Sequence, residues 1–135
     1  MSLYKKTLRY FRELSEIPRR SYEEKRVKKW LISWAKDNNW DYEDDEAGNL
    51  LIKATWSSDE ILCLQGHMDM VCVAQDSHDW SEEGVKVIEK DGVLWWDKTT
   101  LWADNGIGVA AMMAIAELEK RPSLELLFTM GEEIG

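Results

Sequence analysis

Three short clusters carry side chains suited to making and breaking bonds. Gly66-His67-Met68-Asp69 follows an apolar run at residues 61–65. Ala103-Asp104-Asn105-Gly106 opens an apolar stretch, and Glu132-Glu133 follows another at residues 124–129, flanked by Gly131 and Gly135. In an extended segment His67 and Asp69 share a face, because side chains repeat every second residue. That spacing suits a metal-bound imidazole with a carboxylate beside it, provided the chain bends. Each cluster also has a plainer reading. A histidine at a strand end is often structural, aspartate and asparagine cap helices, and paired glutamates usually face solvent. Yet adjacent side chains in extended backbone diverge, so Glu132 and Glu133 serve different partners, one able to bind metal while the other handles protons. An imidazole with carboxylates at successive strand ends fits a hydrolytic metal centre. Oxygen-rich coordination with one imidazole per ion is consistent with two divalent ions about 3.5–4 Å apart that share a bridging carboxylate. A neighbouring carboxylate would then take a proton from water and pass it to the leaving amine.

The other candidates are weaker. His78-Asp79 lies in a polar loop with no strand to position it, so a structural or solvent role is expected. Cys63 and Cys72 bracket His67, but their spacing is not the short gap of structural zinc sites. Buried free thiols are expected instead.

The elements that must position these groups follow from periodicity. Residues 3–16 carry Leu3, Leu8, Phe11 and Leu14 among charges, an amphipathic helix closed by Pro18. Ser21 followed by Glu24 reads as a capping box for a second helix, with Val27, Trp30, Leu31, Trp34 and Ala35 on its apolar face to about Asn38. Residues 50–54 and 61–65 are short β-type runs. Asp91-Gly92 between residues 85–88 and 93–96 is a hairpin signal. Residues 107–118 read as a buried helix, and 124–129 as an interior strand of a parallel sheet. Strands alternating with helices imply an α/β layer fold with its sites at the carboxyl ends of strands. A central strand so near the terminus suggests a truncated domain.

Composition narrows the function. The 135 residues amount to one domain, and 44% hydrophobic with 32% charged residues can bury a core. No apolar run approaches about 18 residues, so no transmembrane helix is expected, and residues 1–20 do not form a secretory signal. Seventeen basic against 26 acidic residues give a net charge of −9, which makes nucleic acid and anionic membrane poor partners. Two cysteines match a reducing, cytoplasmic setting.

In order along the chain stand Gln65-Gly66-His67-Met68-Asp69-Met70-Val71, Thr99-Thr100-Leu101-Trp102-Ala103-Asp104-Asn105-Gly106 and Phe128-Thr129-Met130-Gly131-Glu132-Glu133-Ile134-Gly135. The sequence resembles the aminoacyl-histidine (Xaa-His or β-alanyl-histidine) dipeptidases, within the dinuclear zinc peptidases that include carnosinase, carboxypeptidase G and tripeptidase T. Shorter matches at Asp45-Glu46-Ala47-Gly48-Asn49 and His78-Asp79 extend the likeness over nearly the whole chain. The resemblance implies that His67 binds one zinc and that Asp69, the catalytic aspartate, orients it. It further implies that Asp104 bridges two zinc ions, Glu132 is the general base and Glu133 binds the other zinc. The implied fold is a phosphorylase/hydrolase-like α/β catalytic domain. Residues 1–135 would be its N-terminal part, without the lid domain that often makes a homodimer contact. Gly131 departs from the threonine or acidic residue usual there, and family members are about three times longer, with two further ligands downstream. The isolated 135 residues are therefore expected to be inactive. The implied substrate is a small peptide ending in histidine, with a tripeptidase or N-acyl amino acid deacylase as the alternative. A non-catalytic α/β binding module is the reading from another class, and an intact Glu132 argues against it.

Eight tryptophans equal the eight glycines, an unusual ratio. Trp102 and Trp40 stand where the resembling family has glycine, Trp40 at a helix end where positive φ is expected. Trp56 and Trp96 are further cases. Trp and Gly codons differ at one base, and some bacteria read UGA as glycine. The natural protein is thus expected to carry glycine at positions 40 and 102, its UGA codons having been rendered as tryptophan. Inspection of the gene checks this: UGA is the expected codon at both positions, and UGG would refute it.

Overall fold

The computed structural model describes residues 1–135 except 76, 97 and 102. Helices α1 (Leu3–Ser15) and α2 (Lys25–Asp37) are followed by strands β1 (Asp41–Asp44), β2 (Leu50–Ala54) and β3 (Ile61–His67). A short hairpin of β4 (Ile88–Lys90) and β5 (Val93–Trp95) precedes α3 (Ala103–Ala116), β6 (Ser123–Thr129) and a closing 3₁₀ turn (Glu132–Ile134). The main sheet has the order β1-β2-β6-β3. β6 is interior as expected, but it pairs parallel with β3 and antiparallel with β2, so the sheet is mixed rather than parallel. Among the described residues, no helix is long and apolar enough to cross a membrane.

Each element has a local cause. Ser2 caps α1 by accepting the Lys5 N–H, and Tyr10, Phe11 and Leu14 turn one face into the core. Leu50, Ile52 and Ala54 alternate inward along β2, while Leu124, Leu126 and Phe128 do so along β6. Asp91 (φ 53°) and Gly92 (φ 75°) make the tight turn between β4 and β5, although the first arm begins later than residue 85. Gly66 lets α3 close on β3: a Cβ there would lie 3.2–3.3 Å from Asn105, Met112 and Val109.

Several expectations are corrected. β1 was not foreseen, because Asp41–Asp44 is polar and fully exposed; its extended form comes from pairing with β2. Ser21 and Glu24 do not form a capping box, since Glu24 occupies the N-cap position of α2 without a side-chain cap bond. Cys63 is exposed on the edge strand β3 and Cys72 is half-buried, so neither is a buried thiol. The left-handed residue after α2 is Asn39 (φ 57°). Trp40 therefore gains no support from backbone geometry; its ring packs edge-on against Trp34 at 5.1 Å. Trp56 is exposed, Trp96 packs on His78, and Trp102 lies outside the described residues.

A polar knot ties α1, α2 and α3 together. Glu117 accepts hydrogen bonds from the Tyr10 hydroxyl and from Trp34 Nε1 at 2.8 Å, and pairs with Lys6 at 2.9 Å. Burial, then the adjoining Glu117 carboxylate, pushes Tyr10 up to about 12. A raised tyrosine pKa adds stability that is complete below about 10 and lost as pH rises through the folded value. Tyr10→Phe is expected to lower stability by about 1 kcal/mol at neutral pH. Urea unfolding should show the gap to the parent closing between pH 10 and 12.

Candidate metal centre

β3 ends at His67, after which the chain bends so that the imidazole and the next carboxylate meet. His67 Nδ1 donates to the Asp69 backbone carbonyl at 3.0 Å and stands 3.3 Å from Asp69 Oδ1. With Nδ1 turned to that carbonyl, Nε2 is the ring nitrogen that faces the neighbouring carboxylates and could bind a metal ion on giving up its proton. Nε2 faces Asp104 Oδ1 at 3.1 Å, Glu132 Oε2 at 3.7 Å and Glu133 Oε1 at 3.8 Å. Three carboxylates from two other elements thus converge on one ring nitrogen.

Asp104 reaches this point because the start of α3 is not regular helix. Asp104 (φ −84°, ψ 113°) and Asn105 (φ −110°, ψ 32°) are non-helical, and the peptide between them is cis. Among the described residues the Asp104 carboxylate contacts His67 rather than an amide of α3, so Asp104 does not cap the helix. Its side chain is 73% exposed, Glu132 is 57% exposed and Glu133 17%, so the centre is open on one side.

The turn carrying the two glutamates is held through its backbone. Met130 N–H donates to Asn49 Oδ1 at 3.0 Å, and Gly131 N–H to Glu24 Oε1 at 2.8 Å. Glu132 and Glu133 N–H donate to the two oxygens of Asp69, each at 3.1 Å. Four successive amides are thus caught by side-chain acceptors. Gly131 adopts φ 62°, and a Cβ there would stand 2.9 Å from the Tyr22 ring, which accounts for glycine at this position. Ser21 completes the shell of Asp69 by donating to Oδ2 at 2.6 Å. Sequence reasoning missed Ser21, Glu24 and Asn49. The signal for Ser21 and Glu24 was the Ser-x-x-Glu spacing, which also fits a helix cap, and that for Asn49 was the short Asp45–Asn49 match.

The charges respond to this packing. Burial works against the charged His67 ring, but the contacts with Asp104 and Asp69 prevail and raise its pKa. Burial would lift the Asp69 carboxyl, yet the Ser21 hydroxyl, the Glu133 and Glu132 amides and His67 together bring it below the usual range. Glu133 is pushed up, first by burial and then by Asp104, Glu132 and Asp69, with His67 opposing. Carboxylates crowded around one ring nitrogen call for a cation. Among the described residues, His67, Glu132 and Glu133 offer ligand atoms within 4.8 Å of one another. His78 is not part of this centre; its ring packs at a tilt against Trp80 and contacts Glu83.

Asp69→Asn tests the buried shell directly. Either orientation of the amide turns an NH₂ donor against a backbone N–H, so a loss of about 3 kcal/mol is expected by chemical denaturation at pH 7. A depressed carboxyl contributes stability above its unfolded pKa of about 3.9 and loses it as pH falls through the folded value. The difference between parent and variant should therefore shrink below about pH 4, and equal stability at pH 7 would contradict this account.

No family model matches the chain. The cytosol non-specific dipeptidase of Escherichia coli is 35% identical over 133 residues, covering 93% of this chain and 27% of that protein. The structure of an aminoacylhistidine dipeptidase from Vibrio alginolyticus superposes with a TM-score of 0.88 at 28% identity, covering all of this chain and 30% of that one. A tripeptidase from Staphylococcus aureus superposes at 0.81 with 26% identity, covering 97% of this chain and 37% of that one. The chain thus spans about a quarter to a third of the length of these proteins. In sequence and in fold, the chain is similar to a part of these dipeptidases and tripeptidases.

Proposed function

We infer that this chain contributes the N-terminal part of the catalytic domain of a metal-dependent dipeptidase that hydrolyses Xaa-His-type dipeptides. The observation that carries the reading is the convergence of Asp104, Glu132 and Glu133 on Nε2 of His67. The donor set fits two divalent ions, which we take to be zinc: one imidazole nitrogen, with hard carboxylate oxygens around it. His67 would hold one ion, Glu133 the other, and Asp104 would lie between them. When bound, such a pair lowers the pKa of water and polarises the scissile carbonyl.

The chain's own residues supply the rest. Asp69, fully buried, fixes the His67 ring so that Nε2 points at the centre. Glu132 has a carboxylate that is half out in solvent and carries no role in the buried web. It is free to take a proton from water at its Oε atoms and return it to the leaving amine. The two glutamates do not diverge from extended backbone as expected; both face His67 Nε2 from a 3₁₀ turn, and their unequal exposure, 17% for Glu133 and 57% for Glu132, supports a division of labour. The likeness to the Staphylococcus aureus tripeptidase favours tripeptide hydrolysis as the second reading.

The test uses the complete gene product. Glu132→Gln is expected to retain both metals by elemental analysis while turnover of an Xaa-His dipeptide falls by about 10²-fold or more. Asp104→Ala is expected to lose metal, because the bridging ligand serves both ions. Normal turnover in Glu132→Gln would refute the base assignment. A higher kcat/KM on tripeptides would favour the second reading.

A further inference from the structure

We propose that Glu24 and Ser21, in the connection between α1 and α2, are positioning residues of the metal centre; this rests on the dipeptidase reading above. Residues 19–20 lie beside the chain just past the end of β3, joined to it at one isolated bridge. Met70 N–H donates to the Arg19 carbonyl at 3.0 Å, and Arg20 bridges Met70 in parallel. The buried Arg19 guanidinium donates from Nη1 to the carbonyls of Met68 and Asp69 at 3.1 and 3.2 Å. The segment is thereby docked against the backbone that carries His67 and Asp69.

From this platform two buried polar side chains reach the site. Ser21 and Glu24 are 7% and 5% exposed. A carboxylate at the N-cap position of a helix would ordinarily accept that helix's first amides, yet Glu24 makes no such bond. Its Oε1 instead accepts the N–H of Gly131, the left-handed residue (φ 62°, ψ 22°) at which the chain turns out of β6. Ser21 sets the Asp69 carboxylate, whose two oxygens fix the next two amides. Between them Tyr22 (φ 64°) lays its ring against Gly131. Removing the Glu24 acceptor would leave the Gly131 amide buried and unpaired. The turn would then rotate to relieve it, and Glu132 and Glu133 would turn away from His67 together. Neither residue touches the reacting atoms, so each acts through the placement of others.

The test loads the complete gene product with cobalt(II) in place of its own metal. It compares the parent with Glu24→Ala, Glu24→Gln and Ser21→Ala, with thermal melts recorded for each. Glu24→Ala is expected to weaken cobalt binding about 10–100-fold, to alter the visible cobalt absorption, and to lower kcat with KM within about twofold. Glu24→Gln retains an acceptor oxygen for the Gly131 amide and should recover most of the affinity and the parent spectrum. Ser21→Ala should move the same readouts in the same direction, and it carries the test if Glu24→Ala does not fold. A folded Glu24→Ala or Ser21→Ala with parent spectrum and affinity would overturn the proposal. So would a Gln variant as impaired as the Ala variant, since the hydrogen bond would then not be the cause. A parent that binds no cobalt would overturn the dipeptidase reading along with it, whereas a metal-binding, active parent with unaffected variants would overturn this proposal alone.

Discussion

The Asp69 carboxylate is fully buried and accepts from the Ser21 hydroxyl and from the amides of Glu132 and Glu133, with His67 Nδ1 at 3.3 Å. These partners come from the α1–α2 connection, from the turn after β6, and from the end of β3. A buried carboxylate is costly unless its oxygens are satisfied, so these three parts of the chain must come together or none of them can. The interaction therefore does two jobs. It closes the end of the parallel β3–β6 pair, and it sets the geometry of every candidate ligand except Asp104.

The same constraint explains the electrostatics. Arg19, buried beneath the site, keeps a cation under Asp69; burial brings its pKa down to about 10, with Asp69 opposing, so it remains charged at neutral pH. Above it, the Asp69 main-chain carbonyl holds the proton of His67 on Nδ1, and the remaining acidic groups gather around Nε2. Negative charge that would scatter on a free surface is held at one point by backbone amides, which cannot move without breaking the fold. Carboxylates held this close repel one another, and a cation among them would relieve that repulsion.

The sheet is less evenly covered than the site. β3 is an edge strand whose residues Ile61 and Leu62 are 66% and 50% exposed. Adjacent exposed apolar residues lie on opposite faces of a strand, so the first half of β3 is bare on both. Its last two residues, Gly66 and His67, are buried, with α3 packed against Gly66. The end of the strand that carries His67 is thus its well-packed end.

Much of this protein was legible in the order of residues. His67, Asp69, Asp104, Glu132 and Glu133 stood out because polar groups ended apolar runs, and the helices announced themselves through the spacing of Leu8, Phe11, Leu14 and of Val27, Leu31, Trp34. These are local signals, written within a few residues. What only the tertiary structure decided was where side chains with two possible partners went. Ser21-x-x-Glu24 has the spacing of a helix cap, yet the amides beyond β6 offered these side chains a buried partner, and burial favours the bond that leaves no orphan donor. Asp41–Asp44 has no strand pattern of its own and is extended because β2 offers a ladder. Cys63 looked interior from its apolar neighbours, but burial belongs to layers rather than to residues. A sequence states which groups are available; which of them meet is settled by the packing that brings distant segments within reach.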